Sequence, residues 1–116
     1  MKFKLIIASV PDTTTDAIVD AARKEGATGC TVLTNARGEG LKKAKTFLGL
    51  DLAGGRDLVL IIVEQHLARR ILETIDAAGK FDTSPGAGIA IMIDVEDAVG
   101  LGSQIHTIQT EIEDEV

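Results

Sequence analysis

The sequence has no Trp, no Tyr and only three Phe among its 116 residues. Apolar residues nevertheless make up 45% of the chain, so a core must be built from Ile, Leu, Val and Ala. Such a core is typical of a small sheet covered by helices, and a chain of this length forms a single domain. We expect the domain to extend over residues 1–101 and to be followed by an acidic tail, 102–116.

Other scarcities exclude whole classes of protein. The single Cys30 excludes an internal disulfide, and the first residues do not have the layout of a secretion signal. No apolar run reaches the roughly 18 residues that a membrane-spanning helix needs. The net charge of −6 disfavours nucleic-acid binding, although it does not exclude small anionic ligands. These features predict a cytoplasmic protein that reaches a membrane only through a partner.

Strand and helix patterns alternate along the first half. Residues 3–10 are almost wholly apolar and predict a strand. Thr13 and Asp16 then stand at capping-box spacing, which predicts a helix that begins at Thr13 and stops at Gly26. The β-branched residues of 31–34 predict a second strand.

The second half repeats this order, with a strand at 58–63, a helix that ends at Gly79 and a strand at 89–93. Asp94 is expected to cap a short helix over 95–101. Two successive β-α-β units predict an α+β, ferredoxin-like split β-α-β sandwich, in which a four-stranded antiparallel sheet carries both helices on one face. The strands are apolar on both sides, so the other face should be covered by further copies of the chain.

The segment 37–56 is the first candidate for a functional element, because its 20 residues far exceed a hairpin loop. Its local charge is +3 in a protein of −6. We interpret it as a partner-docking loop; the alternative is an insert that packs on its own oligomer. The docking residues would be Lys42, Lys43, Lys45, Phe47, Leu48 and Leu50.

Two glycine-rich bends are the second candidate. Gly38-Glu39-Gly40 follows the second strand, and Ser84-Pro85-Gly86-Ala87-Gly88 precedes the fourth. Backbone without side chains can approach a phosphate at such bends, although each alone is as typical of a plain turn. His66 is interpreted as a surface or capping residue and Cys30 as a small buried one. No residues form a catalytic or metal-binding constellation, so we predict a protein that is not an enzyme.

Several segments together resemble the PII signal-transduction family of nitrogen regulators. They are Gly26-Ala27-Thr28-Gly29-Cys30-Thr31-Val32 at the start of the second strand, the bend 38–40 with its long following loop (the family's T-loop), Gly86-Ala87-Gly88 of the family's B-loop, and Val95-Glu96-Asp97-Ala98-Val99. The resemblance covers residues 1–101. It implies a homotrimer that binds an adenine nucleotide (AMP, ADP or ATP) between subunits, without a required cofactor, and regulates a partner through the loop.

The resemblance also implies the ligand-contacting residues and shows departures from the family. By position, the nucleotide-binding residues are Thr31, Gly38, Glu39, Gly40, Gly86, Ala87, Gly88 and Ile89. The sequence lacks the tyrosine that many members have modified. Ile89 replaces a basic residue, Gly100-Leu101-Gly102 replaces further ones, and Lys42 replaces a glutamine used for sensing 2-oxoglutarate. The resemblance is therefore to a divergent member, and such members are linked to membrane transport.

Three hypotheses follow. The first is a trimeric nucleotide sensor that regulates a membrane transporter through 37–56. The second keeps the trimer but binds a non-nucleotide anion or small metabolite. The third is an enzyme on the same scaffold, since a fold does not fix a function.

Overall fold

The computed structural model describes residues 1–38 and 55–102. The elements are, in chain order, β1 (Phe3–Pro11), α1 (Thr15–Lys24), β2 (Thr31–Ala36), β3 (Arg56–Glu64), α2 (Gln65–Gly79) and β4 (Ile89–Val95). The strands form one antiparallel sheet in the order β2-β3-β1-β4. Both helices contact β3 and each other, so they cover the same face. The predicted ferredoxin-like α+β fold is confirmed.

The helix-covered face holds the core. Every second residue of the two central strands is buried there, because side chains alternate between the faces of a strand. The helices contribute buried residues at helical spacing. The core residues are Ile6, Ala8, Val10, Ile18, Ala22, Val59, Ile61, Val63, Leu67, Ala68, Ile71 and Ile75.

The opposite face, which we call the open face, is also apolar. Ile7 lies opposite Ile91, and Leu5 lies opposite Ile93, so these side chains share one surface. Ile91 is 46% exposed and Ile93 is 45% exposed. The surface also includes Leu58, Leu60, Ile62 and Ile89. The predicted strands with two apolar faces are therefore present, and no element among the described residues covers the second face.

The helix ends agree with the sequence only in part. α1 ends at Lys24 and is followed by Gly26 at φ 107°, the left-handed conformation that glycine adopts easily. Its start differs from the prediction, because Thr13 does not cap it. The Thr14 hydroxyl donates to the Pro11 carbonyl at 3.0 Å, and α1 begins only at Thr15.

The predicted helix over 95–101 is wrong. β4 continues to Val95, and residues 96–101 are not helical. Asp94 lies within β4 and forms an ion pair with Lys4 on β1, so it does not cap a following helix. Cys30 is exposed, contrary to the expectation of a buried residue.

Two further expectations concern the tail and the membrane. The tail beyond residue 102 lies outside the described residues. Within 1–38 and 55–102, no helix is long and apolar enough to cross a bilayer.

Candidate functional site: the glycine-bend end of the sheet

Both glycine-rich bends adjoin the same end of the sheet. Ala36, which precedes the first bend, pairs with Arg56 at the start of β3. Ile89, which follows the second bend, pairs with Ser9 near the end of β1. Antiparallel pairing therefore brings these four strand ends to one edge, which we call the bend end.

The Arg56 side chain links the parts of the bend end. It is only about 9% exposed. Its Nε donates to the Ser9 hydroxyl at 3.5 Å, one terminal nitrogen donates to the Ser9 carbonyl at 3.3 Å, and the other donates to the Gly86 carbonyl at 3.4 Å. A Cβ on Gly38 would lie 2.9 Å from Arg56 Cδ. The glycine thus lets the backbone after β2 lie directly against this arginine.

The second bend requires glycine for two reasons. Gly86 has φ 75° and Gly88 has φ 141°, conformations that other residues adopt only with strain. A Cβ on Gly88 would also lie 2.7 Å from the Ser9 carbonyl oxygen and 2.9 Å from the Phe81 ring. Between the glycines, the Ala87 amide donates to the Ser84 carbonyl at 3.1 Å and is therefore engaged within the turn.

The structure brings together part of the predicted nucleotide site. Gly38, Gly86, Ala87, Gly88 and Ile89 all belong to the bend end. Ile89 is 63% exposed, so it places an apolar side chain in contact with water at the bend end.

Thr31 is not brought to this cluster within one chain. It pairs with Leu60, four residues along β3 from Arg56, which corresponds to roughly 13 Å of strand. It is also on β2, the edge strand farthest from β4. The remaining predicted residues lie outside the described residues: Glu39, Gly40, Lys42, Lys43, Lys45, Phe47, Leu48 and Leu50.

Sequence reasoning missed Arg56 as a site residue and counted it only as one of the charges of the segment 37–56. A signal was available, because Arg56 directly follows Gly54-Gly55 and precedes the apolar run from Leu58. Arg56 is the first residue of β3, so its backbone position is fixed by the strand and not by the segment that precedes it.

The helix side of the bend end is acidic. A shallow cavity of about 240 Å³ lies beside Gly88 and Phe81 and is lined also by Asp76 and Asp82. A hydrogen bond with Asp76, together with the charge of Asp76, raises the pKa of Asp82. Glu73 and Arg69 also line this cavity, so three carboxylates outnumber one guanidinium there and an anion is favoured on the side of Arg56 instead. Across residues 1–38 and 55–102, no three His, Cys, Asp or Glu side chains cluster as metal ligands.

The comparisons with known proteins agree with this architecture. The family described as Nitrogen regulatory protein P-II matches residues 3–104. A PII-like signalling protein from Thermus thermophilus is 25% identical, with a TM-score of 0.61 over 82% of this chain and 87% of that one. None of the curated proteins matches the chain.

Two further solved structures share the fold. CPII from Thiomonas intermedia K12, bound to ADP, AMP and acetate, is 15% identical, with a TM-score of 0.66 over 84% of this chain and 89% of that one. GlnK of B. subtilis, in complex with ATP, is 19% identical, with a TM-score of 0.69 over 88% and 89% of the two chains.

Proposed function

The chain belongs to the nitrogen regulatory protein P-II family, and we propose on that premise that it is a homotrimeric signalling protein. In this proposal it binds an adenine nucleotide at the bend end and reports the occupancy to a partner protein. It acts through binding and not through catalysis. The bend end carries the proposal, because two glycine bends and a buried guanidinium converge there beside an exposed apolar sheet face.

The open face supports the trimer. Water-exposed Ile62, Ile89, Ile91 and Ile93 form a contiguous apolar surface that a monomer would leave uncovered. Further copies of the chain bury this surface and bring the Thr31 edge of one copy near the bend end of another. Thr31 is separated from the bends within one chain, so it can join them in one site only if that site is shared between subunits.

Adenine nucleotides are the favoured ligands. The CPII structure contains ADP and AMP, and the GlnK structure contains ATP. Gly38 and Gly88 let the backbone of both bends pack directly against Arg56 and Ser9, so that both bends border the strand ends where we place the phosphate chain. The segment 37–56 begins and ends at this site, which is why we assign to it the contact with the partner. We propose a membrane transporter as the regulated partner and residues 42–50 as the docking region.

A small anion or metabolite is the second candidate ligand. Ile89 places an exposed apolar group where a cation would hold a triphosphate, and the CPII structure contains acetate as well as nucleotides. Loss of even two charge-assisted hydrogen bonds, each of about 1.5–3 kcal/mol, would weaken a triphosphate by roughly a hundredfold or more.

Titration calorimetry with AMP, ADP and ATP tests the proposal. We expect ATP to bind no better than ADP or AMP, and 2-oxoglutarate with Mg²⁺ not to tighten it, since Lys42 replaces the sensing glutamine. Binding of acetate or another small anion in the absence of nucleotide binding would favour the second candidate. Micromolar ATP binding that tightens with Mg²⁺ and 2-oxoglutarate would contradict the expected ligand preference.

A variant that lacks residues 42–50 tests the docking region. The deletion should keep nucleotide affinity and abolish binding to the purified transporter that is under test. Equal transporter binding by the full chain and the deletion variant would exclude this region as the docking element.

A further inference from the structure

Arg56 differs from the arginines of the helices. Arg23 contacts Asp20 at 3.1 Å, and Arg69 contacts Glu73 at 2.8 Å. Arg56 is about nine-tenths buried, yet among residues 1–38 and 55–102 no carboxylate lies within ion-pair distance of it. A buried guanidinium cannot lose its proton, so its charge is held with neutral acceptors alone.

Those neutral acceptors hold the guanidinium weakly. The three hydrogen bonds of Arg56 measure 3.3 to 3.5 Å, near the long limit for an N–H···O bond. Charge-assisted bonds to an anion are usually about 2.7–2.9 Å. Three of the five N–H groups are engaged, which leaves capacity for another acceptor. The arrangement favours an incoming anion that supplies the missing negative charge.

The strand register determines the face of the sheet from which an anion can approach Arg56. Arg56 shares its face of β3 with Leu58 and Leu60, so its side chain projects from the open face. Ser9, its main partner, lies on the same face of β1. The helix side carries Asp76 and Asp82. The guanidinium therefore faces the region where a neighbouring copy would complete the site.

We propose that Arg56 is the fixed cation of the ligand site and donates a bidentate pair of hydrogen bonds to a phosphoryl group of the bound nucleotide. This inference rests on the proposed nucleotide-binding function. When the phosphoryl group binds, it replaces the weak bond from Arg56 to the Gly86 carbonyl. Arg56 then links the ligand to the Gly86–Gly88 bend and, through Gly38, to the start of the segment 37–56.

The affinity of the chain for ligands that differ in the number of phosphate groups tests the assignment of Arg56 as the phosphoryl contact. The probes are adenosine, AMP, ADP and pyrophosphate, and the variants are Arg56→Gln, Arg56→Lys and the control Arg23→Gln, which removes an exposed arginine far from the bends. Arg56→Gln should weaken ADP about 10- to 100-fold, because a charge-assisted bidentate pair is lost, and should leave adenosine nearly unchanged. Arg56→Lys should recover part of the loss, and Arg23→Gln should bind as the unaltered chain does.

The outcomes separate this inference from the proposed function. Unchanged ADP affinity in Arg56→Gln, or an equal loss for adenosine and ADP, would overturn the phosphoryl contact while nucleotide binding stands. Pyrophosphate binding that requires Arg56, with no gain from the adenosine part, would support the contact and overturn the nucleotide. If the unaltered chain binds none of the phosphorylated probes, both fail.

A measurement on the unaltered protein covers the case in which the variants do not fold. The Nε–H resonance of Arg56 should shift on addition of ADP and remain in place on addition of adenosine. A resonance that does not respond to ADP at saturation would contradict the contact.

Discussion

The two faces of the sheet carry similar side chains in different surroundings. On the helix-covered face, Ile6 and Ile61 are fully buried. On the open face, Ile91 and Ile93 keep almost half of their surface in contact with water. Strand formation therefore depends on apolar composition, whereas burial depends on which elements the chain supplies for each face. One face is completed by the chain's own helices, and in the proposed trimer further copies of the chain complete the other.

The largest effect is expected from a charge on the open face. Ile91→Lys places an ammonium group in the proposed interface, where an unpaired buried charge costs several kcal/mol. The mass in light scattering should fall from three chains to one, while the circular dichroism spectrum stays that of a folded protein.

The matched control introduces the same charge on the helix side. Ala77 is an exposed residue of α2, so Ala77→Lys should leave the mass unchanged. A trimer that survives Ile91→Lys would mean that the open face is not the interface.

Truncation on the covered face should affect folding. Ile61 is fully buried between the sheet and the helices, and Ile61→Ala should lower the free energy of unfolding by about 2–5 kcal/mol. Urea denaturation at several protein concentrations measures this, since assembly also contributes to stability. Ile91→Ala is the comparison, and its loss should diminish as the protein is diluted. A concentration-independent loss in Ile91→Ala would remove the distinction between the faces.

One polar pair lies at the edge of the covered face. The Thr15 hydroxyl donates to Asp57 Oδ2 at 2.6 Å, and both residues are buried. Thr15→Val removes the donor and should cost about 1.5–3 kcal/mol, as hydrogen bonds to charged groups do. The double variant with Asp57→Ala, which removes the acceptor, should lose less than the sum of the single variants. Additive losses in this double-mutant cycle would show that the bond contributes nothing.

The strands and helices could be predicted from the sequence because their patterns are local. The apolar run at 58–63 and the helical spacing before Gly79 each require only neighbouring residues, and β3 and α2 were found where expected. The four-stranded antiparallel sheet with both helices on one face followed from the repeated β-α-β unit. The two apolar faces were likewise visible, because β1 lacks the alternation of polar and apolar residues that a sheet with one face open to water would show.

The sequence predictions fail at residues whose contacts are made with residues far away in the sequence. Asp94 is a good cap by type, but Lys4 on a strand 90 residues away engages its side chain. Thr13 has capping-box spacing, but Thr15 bonds to Asp57 on β3 and the helix begins later. Arg56 is one more charge in the sequence, and only the pairing of β1 with β3 places it against Ser9.

The covered face ends in a polar rim at the edge away from the bends. Lys4 and Asp94 pair across β1 and β4, at positions that continue the helix-side rows of buried residues on β1 and of partly buried residues on β4. They border an open cavity of about 670 Å³, which Met1, Gln65 and Glu96 also line. Here an ion pair occupies positions that apolar residues occupy elsewhere on this face. Water reaches the site, so an apolar pair would bury little surface and contribute little stability.

The smallest expected effect concerns this rim and tests whether the ion pair is formed in solution. A hydrogen bond from Lys4, with the charge of Lys4, lowers the pKa of Asp94, and Lys2 adds a smaller lowering. A lowered folded-state pKa contributes stability that is present above the ordinary carboxyl pKa and is lost as the pH falls through the folded value. Lys4→Met should therefore raise the pKa of Asp94 most of the way to its usual range, and Lys2→Met should raise it less. Because Asp94 is 82% exposed, the melting temperature at neutral pH should hardly change. Titration of the Asp94 carboxyl carbon by NMR measures both variants, and identical curves for the unaltered chain and Lys4→Met would mean that the rim is not an ion pair.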